Sequence, residues 1–190
     1  MMKTAPTQYP VNDLIRNRWS ARSFSDKEVS KEDLLTMVEA GSWAFSASNI
    51  QPWAVLMARK GDLDFQRILN CLMPGNIPWA KNAAAFIVGI AKTKLERDGS
   101  FHKTAEHDLG AFDATLAIQA TSMGIIVHPM AGFDPEKVIA EFKLAESLKP
   151  MVVMAVGYLD IPEKLEEPFL SRELTPRSRK PVQDFILNLG

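Results

Sequence analysis

The sequence predicts a soluble domain of the α/β or α+β class. Three observations predict it: four apolar stretches suited to buried strands, apolar residues at helical spacing between them, and a length of 190 residues, which suits one domain at about 150 residues per domain. Hydrophobic residues make up 46% of the chain and charged residues 24%. These proportions are ordinary for a globular protein and exclude a disordered or collagen-like one. We therefore expect residues 1–190 to form a single domain.

The first elements are two helices. One is predicted over about Val11–Arg18. The second has a defined start, because Ser30 followed by Asp33 resembles a capping box. Three apolar residues then share one face, and they are Leu34, Leu35 and Val38. Gly41 offers a stop for this helix.

Strands and helices then alternate. Trp53–Arg59 is predicted as a strand entered from a proline, and Asp62–Leu72 as a helix, because its apolar residues recur at helical spacing. Ala83–Ala91 is predicted as a buried strand. After it come the longest helix, a short strand, a further helix and a last central strand: Thr104–Met123, Ile125–His128, Asp134–Phe142 and Met151–Leu159. Element order alone favours parallel βαβ units.

Residues 160–190 form a different kind of segment. They carry four of the 12 prolines and show little periodicity before Val182–Leu189. Irregular segments of this length seldom sit idle on a compact domain, and four apolar side chains need a place to be buried: Phe169, Phe185, Ile186 and Leu187. We expect an arm that wraps on a partner subunit, the alternative being a frayed tail.

Charge and composition exclude several classes of partner. The net charge of −1 and the pI of about 6.3 give no basic field for nucleic acid. The longest apolar runs have nine residues, whereas a membrane-spanning helix needs about 20. One cysteine, Cys71, cannot form an intramolecular disulfide, and residues 1–10 lack the apolar core of a signal peptide. We expect a cytoplasmic protein with no nucleic-acid or membrane partner.

Two short segments are rich in arginine. They hold six of the nine arginines, which are Arg16, Arg18 and Arg22 in one and Arg172, Arg177 and Arg179 in the other. If the first segment is extended, Arg18, Ser20 and Arg22 share one side, and guanidinium groups with a hydroxyl suit a phosphate. The alternative in both places is a solvated charged surface.

Two further segments have the composition of a ligand-binding loop. Residues 45–53 are small and polar between aromatics, so their Ser and Asn side chains could bind a planar ligand or act only in a turn. Residues 128–134 predict the end of a strand, a Pro-to-Gly turn, and a helix capped by Asp134. Backbone N–H groups of this turn could donate to a ligand, or the turn could be a plain connection.

Together these four segments resemble nitroreductase-type flavin oxidoreductases over roughly Val11 to Pro181. Residues 18–24 resemble the family's opening Arg-x-Ser-x-Arg-x-Phe signature, and residues 46–53 its Pro-Ser-Ser-x-Asn-x-Gln-Pro-Trp element. Residues 129–133 match the family's turn beside the flavin ring, and residues 177–179 match its C-terminal Lys/Arg pair at the flavin phosphate.

The resemblance implies an α+β nitroreductase-like fold. Helices would flank a predominantly antiparallel central sheet, and a homodimer would exchange C-terminal arms of about residues 160–190. It implies bound FMN, with NADH or NADPH as co-substrate and an electron-poor small-molecule acceptor such as a nitroaromatic or a quinone. No catalytic side chain is required, because the chemistry takes place on flavin N5. Dehalogenation, azoline oxidation, flavin degradation and non-catalytic flavin binding are the alternatives.

The resemblance also assigns the residues that bind the cofactor. Those for the phosphate and ribityl groups are Arg18, Trp19 through its backbone, Ser20, Arg22, Arg177 and Arg179. Those arriving from the other subunit are Ser46, Ala47, Ser48 and Asn49, with Gln51 in the same element. Those at the ring are Asn76, Pro129, Met130, Ala131 and Gly132. Phe45 and Ala47 replace a Pro and a Ser of the family pattern, so we expect FMN binding to survive and acceptor choice to shift.

Other reactive residue types are given structural roles. The three histidines His102, His107 and His128 lack metal-ligand spacing, so no metal site is expected. Core positions are predicted for Cys71, Trp43 and Trp79, the alternative for the two tryptophans being the wall of a pocket. The polar side of the longest helix is predicted for Asp108 and Asp113.

Overall fold

The sheet is antiparallel throughout. The structure is a computed structural model that describes residues 3–188, and within them four strands pair in the order β1-β2-β4-β3. The strands are β1 (Trp53–Arg59), β2 (Ala85–Lys92), β3 (Ile125–Met130) and β4 (Leu148–Tyr158). Every adjacent pair is antiparallel. The α+β class and the antiparallel sheet are therefore confirmed.

The parallel βαβ arrangement favoured by element order is wrong. β1 ends at Arg59, opposite Ala85 where β2 begins, so the helices between these strands leave and re-enter the sheet at the same end. Strands β2 and β3, which flank the longest helix, do run in the same direction, but β4 lies between them and pairs with both. A helical connection therefore did not determine which strands become neighbours.

Helices cover both faces of the sheet. They are α1 (Asp13–Asn17), α2 (Lys31–Ser42), α3 (Leu63–Asn70), α4 (Ile77–Ala80), α5 (Ala105–Ser122), α6 (Pro135–Phe142) and α7 (Phe169–Leu174). Short 3-10 turns occupy Ala47–Asn49, Pro162–Lys164 and Val182–Phe185. The caps predicted from sequence are confirmed, because Ser30 and Asp33 form a reciprocal capping box and Asp134 accepts the N–H of Lys137. Strand β3 extends to Met130, so Pro129 and Met130 lie in the strand rather than in the turn.

Alternate residues of the central strands separate two apolar layers. Phe86 and Val88 of β2 pack with α3, α4 and α6, whereas Ile87 packs with α2 and α5. Cys71 and Trp79 are buried in the first layer as predicted. Trp43 was predicted in the core, but its surface is 84% exposed. It follows the last residue of α2, where the chain has already left the apolar layer.

The C-terminal segment divides into two parts. Leu165 is buried and Phe169 packs against the protein's own core, so residues 160–177 fold back on the rest of the chain. Phe185 is 61% exposed and Leu187 fully exposed. The unburied apolar surface of the expected arm is therefore greatest near its end, although Ile161 and Leu174 are each 56% exposed as well. Leu189 lies outside the described residues.

Within residues 3–188, none of the helices combines the length and the apolar character that crossing a bilayer requires.

Candidate flavin-binding site

Residues 18–24, here called the Arg18 segment, show the alternating burial expected if this segment is extended. Trp19, Ala21 and Ser23 are buried, while Arg18, Ser20 and Arg22 alternate with them and are only half-buried. Three polar side chains therefore share the outer side of one extended segment. The order of burial confirms the spacing argument without reference to any ligand.

A buried carboxylate, Glu173 of α7, fixes the backbone of the Arg18 segment. Its side chain is 1% exposed and accepts the N–H groups of Arg22, at 3.0 and 3.1 Å, and of Ser23, at 3.3 Å. The Ser23 hydroxyl donates to the carbonyl of Ile161 at 2.6 Å. These bonds tie the segment to the C-terminal part of the chain. Glu173 was not predicted as a site residue, because nothing in its local sequence distinguishes it.

Arg177 is a second anchor of the same segment. Its Nη1 donates to the carbonyls of Lys3 and Arg16 at 2.7 and 2.6 Å, and its Nη2 donates to the carbonyl of Arg18 at 2.8 Å. Two of its three guanidinium nitrogens therefore hold backbone. The sequence pattern assigned Arg177 to a phosphate, and a direct phosphate contact by this residue stays a prediction.

Arg18, Arg177 and Arg179 form an arginine cluster. Burial lowers the pKa of Arg18, and the charge of Arg179 lowers it further. Burial also lowers the pKa of Arg177, with the charges of Arg18 and Arg179 adding to the effect. Among the described residues, no carboxylate lies within ion-pair distance of Arg18 or Arg179. The cluster therefore has the electrostatics of a site for an anion.

Arg22 faces a different environment. Its guanidinium lies 5.7 Å from the centroid of the Trp79 ring, and its Nη1 is 3.9 Å from Glu173. Burial lowers its pKa, and the charge of Glu173 offsets part of this effect. His128, whose ring centroid lies 4.4 Å from that of Trp79, donates from Nδ1 to the carbonyl of Ala21 at 2.9 Å, and burial lowers the pKa of His128 to about 4. The histidine is therefore neutral at physiological pH.

The turn after β3 (residues 131–133), here called the β3 turn, is held by Asn76. Its Nδ2 donates to the carbonyl of Gly132 at 3.0 Å, and the N–H of Met73 donates to the same oxygen. A Cβ on residue 132 would come within 2.6 Å of Asn76 Nδ2, so only glycine allows this approach. Two residues assigned to the flavin ring from the resemblance therefore meet, although 56 positions separate them.

A cleft beside α5, the Arg18 cleft, brings Arg18 and Ser20 together with Pro129 of β3. Its lining consists of Ile15, Arg18, Ser20, Asp113, Ala114, Ala117, Ile118 and Pro129. Asp113 Oδ1 is buried with no hydrogen-bond partner among the described residues, and burial raises the pKa of Asp113 to about 7. A Cβ at Gly89 of β2 would lie 3.0 Å from this oxygen. Asp113 therefore lines the Arg18 cleft and does not lie on a solvated polar face of the helix, which is where the sequence predicted it.

Residues 46–51, the Ser46 loop, have an unusual backbone. Ser48, Asn49 and Gln51 have φ angles of 53°, 55° and 55°. These angles lie in the left-handed region, which residues other than glycine seldom adopt. Gln51 reinforces the loop internally, since its N–H donates to Ser46 Oγ and its Nε2 donates to Asn49. Non-glycine residues in this conformation cluster at ligand-binding positions.

The Ser46 loop and the β3 turn belong to opposite edges of the sheet. The loop leads into Trp53 of β1, while Pro129 and Met130 lie in β3. Two strands separate β1 from β3, which places these edges about 14 Å apart. No loop residue lines the Arg18 cleft. One chain therefore brings together the Arg18 segment and the β3 turn, and presents the Ser46 loop elsewhere.

Comparison with known proteins identifies the fold and the family. The family model described as "Nitroreductase family" matches residues 15–158. A Streptomyces coelicolor protein named "Putative NADH dehydrogenase/NAD(P)H nitroreductase" is 29% identical over an aligned length of 164, and the match covers 73% of this chain and 78% of that protein.

Two crystal structures extend the match to nearly the whole chain. One, described as an oxidoreductase containing FMN, has a TM-score of 0.92 and 32% identity, and the match covers 97% of this chain and 94% of that one. Another, from Desulfovibrio desulfuricans and in complex with FMN, has a TM-score of 0.73 and 22% identity, covering 97% and 99%. With the family model spanning three-quarters of its residues, the chain belongs to the nitroreductase family.

Proposed function

We propose that the protein is an FMN-dependent oxidoreductase that transfers reducing equivalents from NADH or NADPH to an electron-poor acceptor such as a nitroaromatic or a quinone. The observation that carries this proposal is the arginine cluster. Among the described residues, no carboxylate lies within ion-pair distance of these arginines, and Arg18 lines a cleft that also contains Ser20 and Pro129. The FMN recorded in two related crystal structures supports the same cofactor here.

The residues fit FMN by their chemistry. Arg18, Ser20 and Arg179 supply charged and hydroxyl donors for a phosphate dianion. The β3 turn, fixed by Asn76, would supply the backbone N–H groups of Ala131 and Gly132 at a ring edge. Arg22, which the resemblance assigns with Arg18 and Arg179, has Glu173 as a counter-charge 3.9 Å away.

FMN supplies the redox chemistry when bound, because flavin N5 accepts a hydride from the nicotinamide and the electrons then pass to the acceptor. With a quinone, the balanced reaction is NAD(P)H plus a proton plus quinone giving NAD(P)⁺ plus hydroquinone. The protein's own residues then have two tasks: they fix the cofactor, and they leave room for nicotinamide and acceptor to bind in turn. Nothing in this scheme requires a side-chain acid or base.

We further propose that two copies of the chain form each site. The Ser46 loop is exposed and lies at the edge of the sheet opposite the β3 turn, so a second copy would supply the loop to the first copy's cleft. The exposed apolar residues at the end of the chain, Phe185 and Leu187, are suited to burial against that second copy. A two-fold dimer would give both sites the same geometry.

The visible spectrum of the purified protein tests the cofactor. A yellow protein whose released flavin is FMN, and which oxidises NADH or NADPH when a quinone is added, supports the proposal. A protein that stays colourless after incubation with FMN contradicts it. Light scattering on the same sample tests the assembly, because a monomer that holds stoichiometric FMN contradicts the shared site and leaves the oxidoreductase assignment intact.

A further inference from the structure

Asp108, at the start of α5, lies directly beneath the Ser46 loop. Its side chain is 2% exposed, and its Oδ2 accepts the N–H of Ala47 at 3.1 Å and the hydroxyl of Thr104 at 3.2 Å. Its Oδ1 accepts from Nδ1 of His107 at 3.0 Å. Burying a carboxylate costs desolvation free energy, and here hydrogen bonds from three donors offset that cost.

The hydrogen bonds keep Asp108 ionised despite its burial. Burial alone would raise the pKa of Asp108, but the bonds from His107, the Ala47 N–H and Thr104 hold that pKa below its ordinary value. The carboxylate also lies in the first turns of α5, where the helix dipole favours negative charge. It is therefore a fixed negative charge at neutral pH, and a strong acceptor for a backbone N–H.

The same carboxylate reaches both neighbours of Ser46. It accepts the N–H of Ala47 directly, and it also accepts a hydrogen bond from His107. The ring of His107 lies 5.8 Å from the ring of Phe45. The other hydrogen bonds of the loop that the structure describes are internal, between Ser46, Ala47, Asn49, Ile50 and Gln51. The Ala47–Asp108 bond therefore ties a backbone with three left-handed residues to a helix.

We infer that Asp108 is a positioning residue that holds the Ser46 loop in its flavin-binding conformation. The inference rests on the proposed function, in which this loop contacts FMN. Asp108 itself touches neither cofactor nor substrate. Its effect on binding passes through the Ala47 N–H, because a loop that is not held must be ordered when FMN binds, and that ordering weakens affinity.

The test compares Asp108→Ala with Glu106→Ala. Glu106 lies in the same first turn of α5, but it is exposed and pairs with Lys149. Hydrogen exchange of residues 46–51 is measured on flavin-free protein, and the FMN dissociation constant by flavin fluorescence. In Asp108→Ala we expect loop exchange at least about tenfold faster and FMN binding about tenfold to a hundredfold weaker, the loss typical of a charge-assisted hydrogen bond. Glu106→Ala should change neither.

Ala47→Pro removes the donor and leaves the buried carboxylate in place. Residue 47 is the first of a 3-10 turn and Ser46 before it is extended, so proline fits this backbone. The variant should reproduce the effects of Asp108→Ala, and combining the two changes should add little to either. If Asp108→Ala does not fold, Ala47→Pro alone still tests whether the Ala47–Asp108 hydrogen bond holds the loop.

Unchanged loop exchange in Asp108→Ala and Ala47→Pro, or effects that simply add, would overturn the inference. If the wild-type protein takes up no FMN, the proposed function fails, while the exchange measurement still decides whether Asp108 holds the loop. If wild type binds FMN and the variants bind it equally well with a well-protected loop, the function stands and the role of Asp108 is rejected.

Discussion

The two halves of the candidate site differ in how the chain supports them. The Arg18 segment is half-buried and is held by Glu173 and Arg177, which bind its backbone from the distant C-terminal part of the chain. The Ser46 loop is exposed, has three left-handed residues, and receives one hydrogen bond from α5. One half is therefore built into a single copy of the chain, and the other is presented outward.

Helix α5 makes the same contrast with two carboxyl groups. Asp108, beneath the Ser46 loop, has donors on both oxygens, and its pKa lies below the ordinary value. Asp113, in the Arg18 cleft, has one oxygen without a partner among the described residues, and burial raises its pKa to about 7. On the loop side of α5 both oxygens of Asp108 accept hydrogen bonds, whereas on the cleft side Asp113 Oδ1 accepts none among the described residues.

The largest effect should come from removing the anchor of the built-in half. Glu173→Ala leaves the N–H groups of Arg22 and Ser23 without an acceptor, at about 1–3 kcal/mol each, and removes the counter-charge of Arg22. We expect the free energy of unfolding to fall by about 5 kcal/mol and FMN retention to be lost.

Urea unfolding and flavin content measure these effects. The control is Glu163→Ala, because Glu163 is an exposed carboxylate of the same C-terminal segment as Glu173. This variant should resemble wild type in stability and in flavin content. Near-wild-type stability of Glu173→Ala would show that the Arg18 segment is supported in some other way.

Asp113→Asn should change how stability depends on pH. An unfolded chain ionises this carboxyl near pH 3.9, whereas the folded protein does so near pH 7. Between these values the folded protein holds a proton that the unfolded chain releases, so rising pH lowers the free energy of unfolding. In flavin-free protein, Asp113→Asn should gain up to about 4 kcal/mol over wild type near pH 8 and almost nothing near pH 4.

His128 shifts stability in the opposite direction over the same range. Its pKa is about 4 in the folded protein and about 6.5 in an unfolded chain, so falling pH favours the unfolded chain. Urea midpoints of Asp113→Asn should therefore rise with pH between about 4 and 6.5, with the gap to wild type widening throughout. A gap that stays constant with pH would refute the role given to Asp113.

The smallest effects separate two arginines that the sequence pattern treats alike. Arg177→Ala loses three bonds to backbone carbonyls and should lower the free energy of unfolding by about 2–3 kcal/mol. Arg179 is exposed and donates only to its neighbour Ser178, so Arg179→Ala should leave stability unchanged and weaken FMN binding about tenfold. Thermal unfolding and flavin titration of both variants check this division, and equal losses of stability would erase it.

Local pattern was sufficient for much of the fold. The capping box at Ser30, the cap at Asp134 and the side shared by Arg18, Ser20 and Arg22 depend on neighbours within a few residues. Strand direction was not accessible in this way, because a helix between two strands is compatible with either parallel or antiparallel neighbours.

The supports of the site could not be predicted for the same reason. Glu173 lies 151 positions from Arg22, and Asp108 lies 61 positions from Ala47. Each looks like an ordinary surface carboxylate until the chain folds. The prediction for Trp43 was wrong in the opposite sense. A large aromatic residue is usually buried, but Trp43 lies just beyond the packed part of α2 and is exposed.

Mixed dimers test most directly the claim that two copies share each site. One copy carries Arg18→Ala and Arg179→Ala, the other carries Ser46→Ala and Asn49→Ala, and each alone should bind little FMN. If a second copy supplies the loop, dimers purified through two different tags contain one site with an intact segment and an intact loop, and should hold FMN in about half of their sites. If each chain builds its own site, every site carries a defect, and mixed dimers with no more FMN than either parent would contradict the account.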